Sequence, residues 1–290
     1  MDDGRLFANA YVNFNDDGRS YQIRSTLRQE DRSRTMGVQL QHASAVGSGL
    51  ALRYGADLQR VVPRTGGTLH GANEDDDDIT QLGGYVSALA RLTPSLDLVA
   101  ALRGDHHNRL ADFVVSPRAG LVFRPGDAHA VRLTFNRASS TPVAADLFLD
   151  LDNGPLVEGY PLRVRAAGGL HPYTFAHGCG GLGDLCMHSP FTGATALPTD
   201  ATVLWSAVQA LAQGAVDGVP APTAAAVPTH LGVFDVASGA VRPVAPDEVT
   251  DIPAARRSLT SSIEMGYRGQ LTRRLTASVD VARPAWVTSR

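Results

Sequence analysis

Polar and apolar residues alternate with period two along both flanks of the chain. In "RLFANAYVNF", Leu6, Ala8, Ala10, Val12 and Phe14 share one parity, while Arg5, Asn9 and Asn13 share the other. The same alternation returns with Met36, Val38 and Leu40, and with Leu50, Leu52, Tyr54, Ala56 and Leu58. Further runs carry Leu82, Val86, Ala88, Ala90 and Leu92, then Leu96, Leu98, Ala100 and Leu102. Val131, Leu133 and Phe135 follow, and Leu275, Ala277, Val279 and Val281 repeat the pattern near the end. Successive side chains of a strand point to opposite faces, so each segment carries one greasy and one wet face.

The connections decide what kind of sheet these strands build. The predicted strands are longer than an ordinary globular strand and match a tilted bilayer crossing. Short links fall at 15–19, 43–48, 93–95, 125–128 and 272–273, and longer ones at 62–78, 104–114 and 139–257, with a modest exception at 29–34. Tight turns on one rim and long loops on the other predict an all-β, antiparallel transmembrane β-barrel, with about ten strands present. Barrel strands occupy 1–138, a large extracellular loop or cap 139–257, and returning strands 258–290. A passive porin or adhesin barrel and a secreted β-sandwich binding module are the alternatives. A sandwich gives no reason for loop lengths to segregate by rim.

The middle of the chain is rich in Gly, Pro and Ala, and its alternation is broken. "TDATVLWSAVQALAQ" predicts a short helix capped by Thr199 or Asp200, with Val203, Leu204, Ala207, Val208 and Leu211 on one face. "GVFDVASGAVRPV" predicts a small hairpin turning at Ser238 and Gly239. A segment this long implies a folded cap with its own small core.

Composition narrows function mainly by exclusion. A net charge of -3, from 26 basic and 29 acidic residues, supplies no field for nucleic acid. No apolar run is long enough for a transmembrane helix, and "MDDGRLFANAYV" lacks the regions of a signal peptide. No hydrolase elbow, phosphate loop or dinucleotide fingerprint occurs, and "HGCGGLGDLC" lacks the strand and helix that a phosphate loop needs. The chain therefore reads as a non-enzyme without a cofactor. In "GDHHNR", His106 and His107 point to opposite faces of a strand and cannot easily share an ion, so they read as a polar rim. Arg53, Arg103 and Arg132 line a wet interior, and Tyr11, Tyr54 and Tyr85 are candidates for an aromatic girdle.

Four stretches resemble the barrel of TonB-dependent outer-membrane receptors. They are "YGADLQRVVPRTGGTLHGANEDDDDI", "DLVAALRGDHHNRLADFVVSPRAGLVFRP", "VRLTFNRASSTPVAADLFLDL" and "TSSIEMGYRGQLTRRLTASVDV". In the last, Glu264 precedes Gly266 and Tyr267 as a glutamate precedes a Gly-Tyr pair in the family. The resemblance implies a location in the outer membrane of Gram-negative cells. It also implies uptake of a scarce nutrient of the ferric siderophore, cobalamin or oligosaccharide class, captured by external loops and driven by the TonB complex through a plug. Nothing here resembles the plug or the TonB box, and "ARPAWVTSR" after Val281 reads as a truncated ending, so the resemblance implies a barrel fragment.

Two candidate sites remain. Cys179 and Cys186 bracket a closable loop, and in an external, oxidising compartment a disulfide is expected. A Cys2His2 site with His177 and His188 lacks the usual cysteine spacing, and free thiols are the plainer alternative. No metal ligand is assigned. The run "EDDDD" at 74–78 falls at the outer end of a strand and reads as a solvated boundary, while cation binding, by calcium for example, stays open.

Overall fold

The structure, a computed structural model, describes residues 4–15, 21–24, 27–155, 163–180, 184–188, 196–211, 218, 221, 232–234, 238–243 and 246–287. From the start of the chain, β1 (Arg5–Phe14) precedes a small hairpin of β2 (Tyr21–Arg24) and β3 (Leu27–Gln29). Then follow β4 (Arg34–Val46), β5 (Leu50–Val62), a 3-10 turn at Gly71–Asn73, β6 (Ile79–Thr93), β7 (Leu96–His107), β8 (Val114–Gly126) and β9 (His129–Ser140). Short elements come next: α1 (Ala144–Phe148), β10 (Asp150–Pro155), β11 (Arg163–Ala167), β12 (Thr174–His177), β13 (Leu185–His188) and β14 (Leu197–Pro198). They continue with α2 (Ala201–Leu211), β15 (Gly232–Phe234) and β16 (Val241–Pro243) before β17 (Ser258–Thr272) and β18 (Leu275–Val287).

Nine strands form one antiparallel sheet in the order β1-β4-β5-β6-β7-β8-β9-β17-β18. The count differs from ten because β1 pairs directly with β4, Phe14 opposite Arg34. Among its described residues, the stretch between them, whose apolar residues are sparse, carries the β2–β3 hairpin as a separate two-stranded sheet. This correction also removes the irregular link at 29–34. Links of two or three residues join β4 to β5, β6 to β7, β8 to β9 and β17 to β18, and the longer links share the other rim. Residues 141–257 are inserted between hydrogen-bonded neighbours, β9 and β17.

Register aligns the greasy positions into rows. Leu98, Leu121, Leu133, Met265 and Val281 stand opposite one another across five consecutive strands. This face is open rather than packed: Leu133 is 49% and Met265 57% exposed. Compact packing sits instead at the long-link rim, where Ile79, Leu110, Leu147 and Phe148 form a core with Val61, Ala144, Leu170 and Ala255 against it. Strand β18 also outlasts the expected break after Val281, reaching Val287. Pro284 lies in an edge strand of the sheet, where a missing N–H breaks no inner ladder.

Within the inserted segment, β10 pairs with β11, β12–β13–β14 make a three-stranded sheet, and β15 pairs with β16. The predicted hairpin turn contains Gly239 at φ +69°. Helix α2 starts after Asp200, whose Oδ1 accepts hydrogen bonds from the Thr202 and Val203 amides at 2.8 and 3.4 Å. Trp205 is buried and anchors the helix, a residue the expected apolar face omitted. The side chains of Ala207, Val208 and Leu211 lie outside the described residues.

Candidate functional site

The polar face of the sheet is built from side chains that reach over glycine to the second strand along. Tyr11 in β1 lies across Gly37 in β4, and its hydroxyl accepts a hydrogen bond from Gln59 Nε2 in β5 at 3.2 Å. Tyr85 in β6 crosses Gly55 in β5 and donates to Gln41 Oε1 in β4 at 2.7 Å. Arg103 in β7 crosses Gly83 in β6 and holds both oxygens of Asp57 in β5, at 2.7 and 2.9 Å. Arg132 in β9 crosses Gly266 in β17 to Asp280 in β18 at 2.9 Å. A Cβ on Gly83 would lie 2.1 Å from Arg103 Nη2, and one on Gly266 would lie 2.3 Å from Asp280 Oδ1. The glycines leave the gap through which each crossing passes.

These crossings place Arg103 and Arg132 on the wet face, as does the register of Arg53 opposite Ser87. They also correct the girdle assignment. Tyr11 and Tyr85 belong to the polar face, and only Tyr54, half exposed, stands on the greasy one. Toward the long-link rim the polar face opens into a cleft of about 570 Å³, lined by Asp57, Arg103, Asp105, Arg118, Arg137 and Arg257 among others. Four arginines against two aspartates give its mouth a positive surplus. Arg257 Nη1 donates to the Asp105 carbonyl at 2.8 Å, which ties the returning end of the inserted segment to β7.

The acidic run lies at the same rim, and each carboxylate has its own environment. Glu74 accepts from the Thr65 amide at 2.9 Å, the Thr65 hydroxyl at 2.5 Å and the Gly66 amide at 3.1 Å. Burial alone would push the Glu74 carboxyl up, but these donors and the Gly67 amide hold it below its ordinary value. Asp75 is exposed, with φ at +73°. Asp76 pairs with Arg109 at 2.9 Å and Asp78 with Arg60 at 2.7 Å. Asp77 is fully buried, with Oδ2 2.6 Å from His70 Nδ1. Burial raises the Asp77 carboxyl, and the hydrogen bond and charge of His70 only partly offset that.

The loop 63–78 is thereby a keystone for the rim. Arg32 N donates to the Arg64 carbonyl, and Glu30 N to Thr68 Oγ1 at 2.9 Å. On another side, Asp150 Oδ2 accepts from Ala72 N at 2.7 Å, and Asn73 donates to the Phe148 carbonyl at 2.9 Å. The His70 ring lies 5.9 Å from that of Phe148, and the Arg109 guanidinium stacks over Phe148 at 5.3 Å. A run that reads as a plain solvated boundary is therefore mostly anchored: 74, 76, 77 and 78 bind neighbours, and only 75 shows no partner among the described residues.

His106 and His107 are separated as their adjacency requires. His106 lines the cleft, whereas His107 is buried and accepts from the Arg109 amide through Nδ1 at 3.0 Å. Cys179 and Cys186 are bonded, with Cα atoms 5.5 Å apart. His177 stands opposite Leu185 and His188 opposite Thr174, at the two ends of the β12–β13 pairing, so they do not gather around the sulfurs. Thr65, His70, Phe148 and the crossing glycines escaped the sequence reading. Glycine recurring at wet-parity positions of long strands was the available signal for the last.

A family model described as TonB dependent receptor-like, beta-barrel, matches residues 2–174. Among solved structures, the ferric enterobactin receptor of Pseudomonas aeruginosa aligns with 89% of this chain and 27% of its own, at 12% identity and a TM-score of 0.46. The siderophore receptor PirA of the same organism aligns over 98% and 50%, at 10% identity and a TM-score of 0.45. The FrpB iron transporter of Neisseria meningitidis aligns over 97% and 42%, at 14% and 0.41. The chain thus spans a half or less of each of these proteins. No curated protein matches it. With more than half of its residues matched by that model, the chain belongs to the TonB-dependent receptor β-barrel family.

Proposed function

We propose that the chain is the wall and outer loops of a receptor in the outer membrane of Gram-negative cells, serving TonB-driven uptake of a scarce nutrient. The observation that carries this reading is the opposition of the two sheet faces. One is an unbroken field of exposed Leu, Val, Met and Phe, which only lipid or more protein can cover. The other is a polar wall of crossing Tyr, Gln, Arg and Asp that suits a wet lumen. The keystone loop and the inserted segment 141–257 leave the sheet at the rim toward which the cleft opens and serve as the external, ligand-capturing surface. The positive surplus in the cleft favours an anionic cargo, which makes a ferric siderophore the first class to test, ahead of cobalamin and oligosaccharides. Force for release comes from the TonB complex acting through a plug domain.

The experiment is a binding titration of the chain in detergent micelles with ferric siderophores, cobalamin and oligosaccharides, preceded by fractionation of expressing cells. Recovery with the outer membrane, a heat-dependent shift on gels and saturable quenching by one ligand class are expected. Recovery in buffer without detergent would instead favour a secreted β-sandwich. Membrane recovery with uptake that survives loss of TonB would favour a passive porin.

A further inference from the structure

The keystone loop holds a group that the transport reading does not use. Asp77 is fully buried, and while Oδ2 meets His70, Oδ1 accepts a hydrogen bond from no described residue. An orphaned buried acceptor costs on the order of 1–3 kcal/mol, more when charged, so it calls for a partner. That oxygen is one carboxyl width from Oδ2, and its residue belongs to a tight cluster. One ligating atom from each of His70, Glu74 and Asp77 lies within 4.8 Å of the other two.

We propose that His70, Glu74 and Asp77 form a binding site for a divalent metal ion of the zinc class, with the buried Asp77 carboxylate as the central anionic ligand. Imidazole with two carboxylates suits zinc and its first-row neighbours, whereas calcium calls for six to eight oxygens. Three protein ligands are also the set that leaves a zinc position open to water or cargo. The surroundings fix the ligands as such a site requires: Thr65 and the Gly66 amide orient Glu74, and Phe148 flanks the His70 ring. The remaining acidic neighbours are diverted, Asp76 to Arg109 and Asp78 to Arg60. A bound ion ties residues 70 to 77 together and stiffens the loop that joins the rim. The site does not depend on the chain's role in transport.

The test is metal retention by the full chain in detergent micelles, with no affinity tag, from chelator-treated buffer. Zinc chloride is added against calcium and magnesium chloride, and bound metal is measured by mass spectrometry after gel filtration. Stoichiometric zinc, a raised thermal transition and visible absorption bands on cobalt substitution are expected. Asp77→Asn lowers zinc affinity by more than about tenfold, and His70→Gln serves as the second variant if Asp77→Asn does not fold. His177→Gln, remote in sequence and on another hairpin, leaves affinity unchanged. No zinc retained by the folded wild type, or equal retention by Asp77→Asn and His70→Gln, overturns the proposal. So does a metal-free Asp77→Asn chain that melts as high as the zinc-treated wild type, since a proton would then satisfy the orphaned oxygen.

Discussion

Single residues matter here chiefly by what they lack or what they hold. Gly83 is needed because Arg103 passes over it, and the nearest atom to an added Cβ is the guanidinium rather than backbone. Gly83→Val is expected to eject Arg103 from Asp57 and cost about 1–3 kcal/mol, read as a lower temperature for the heat-dependent gel shift. Arg103→Gln with Gly83→Val should cost more than Gly83→Val alone only by the Arg103–Asp105 pair, because both changes remove the same contact with Asp57. Glu74 gives a pH signature. Its carboxyl is held below the ordinary value of 4.5, so its contribution is complete above that value and disappears as pH falls through the lowered one. With a chelator present, hydrogen exchange at the Thr65 and Gly66 amides should accelerate as pH drops below 4.5, after correction for intrinsic rates, and Glu74→Gln should abolish the step. None of these partners was legible in sequence. Thr65 and Glu74 are nine positions apart, and Gly83 meets Asp57 only once register is known.

At the level of elements, alternation together with link length placed seven of the eight neighbour pairs of the nine-stranded sheet, since period two is a local property. It failed between β1 and β4, where the polar stretch "SYQIRSTLRQE" held too few apolar residues to decide between a wall strand and an excursion. Helix α2 was found by its Asp200 cap, but Trp205 was passed over because a helical face is assigned by spacing, and burial is assigned by tertiary packing. The β12–β13 hairpin rests on very little ladder, so its crosslink should dominate its persistence. We propose that the Cys179–Cys186 bond forms in the mature chain. A loop this short is worth roughly 3 kcal/mol or less in the chain-entropy model. Cys179→Ser with Cys186→Ser should therefore open residues 174–198 to limited proteolysis while leaving the heat-dependent gel shift of the wall intact.

For the whole molecule, the greasy field predicts a depth-dependent penalty for charge. Leu133→Arg, in the middle of the five-strand row, should cost about 2–4 kcal/mol of folding free energy in lipid vesicles. Asn136→Arg, on the polar face of the same strand, should cost far less. Equal penalties in refolding titrations would mean that the two faces do not meet different solvents. Fold class and the two rims were readable because lipid and water impose opposite demands on successive residues. The site at the rim was not, because it is made where loops from distant parts of the chain meet, and only its acidic run is continuous in sequence.

The crossings over glycine bear on how such a wall assembles without error. Alternation forbids a strand from slipping by one position, since that would turn its greasy face inward, but a slip by two keeps every parity intact. Moving β6 by two relative to β5 would put Gln81 or Tyr85 opposite Asp57, where Gly83 now lets Arg103 through, and would carry Tyr85 off Gly55 or leave it without its gap. A misaligned strand thus presents a side chain where its neighbours need a gap, and three strands rather than two report the mistake. The glycines act as a checksum on register, spread from Gly37 to Gly266 around the arc.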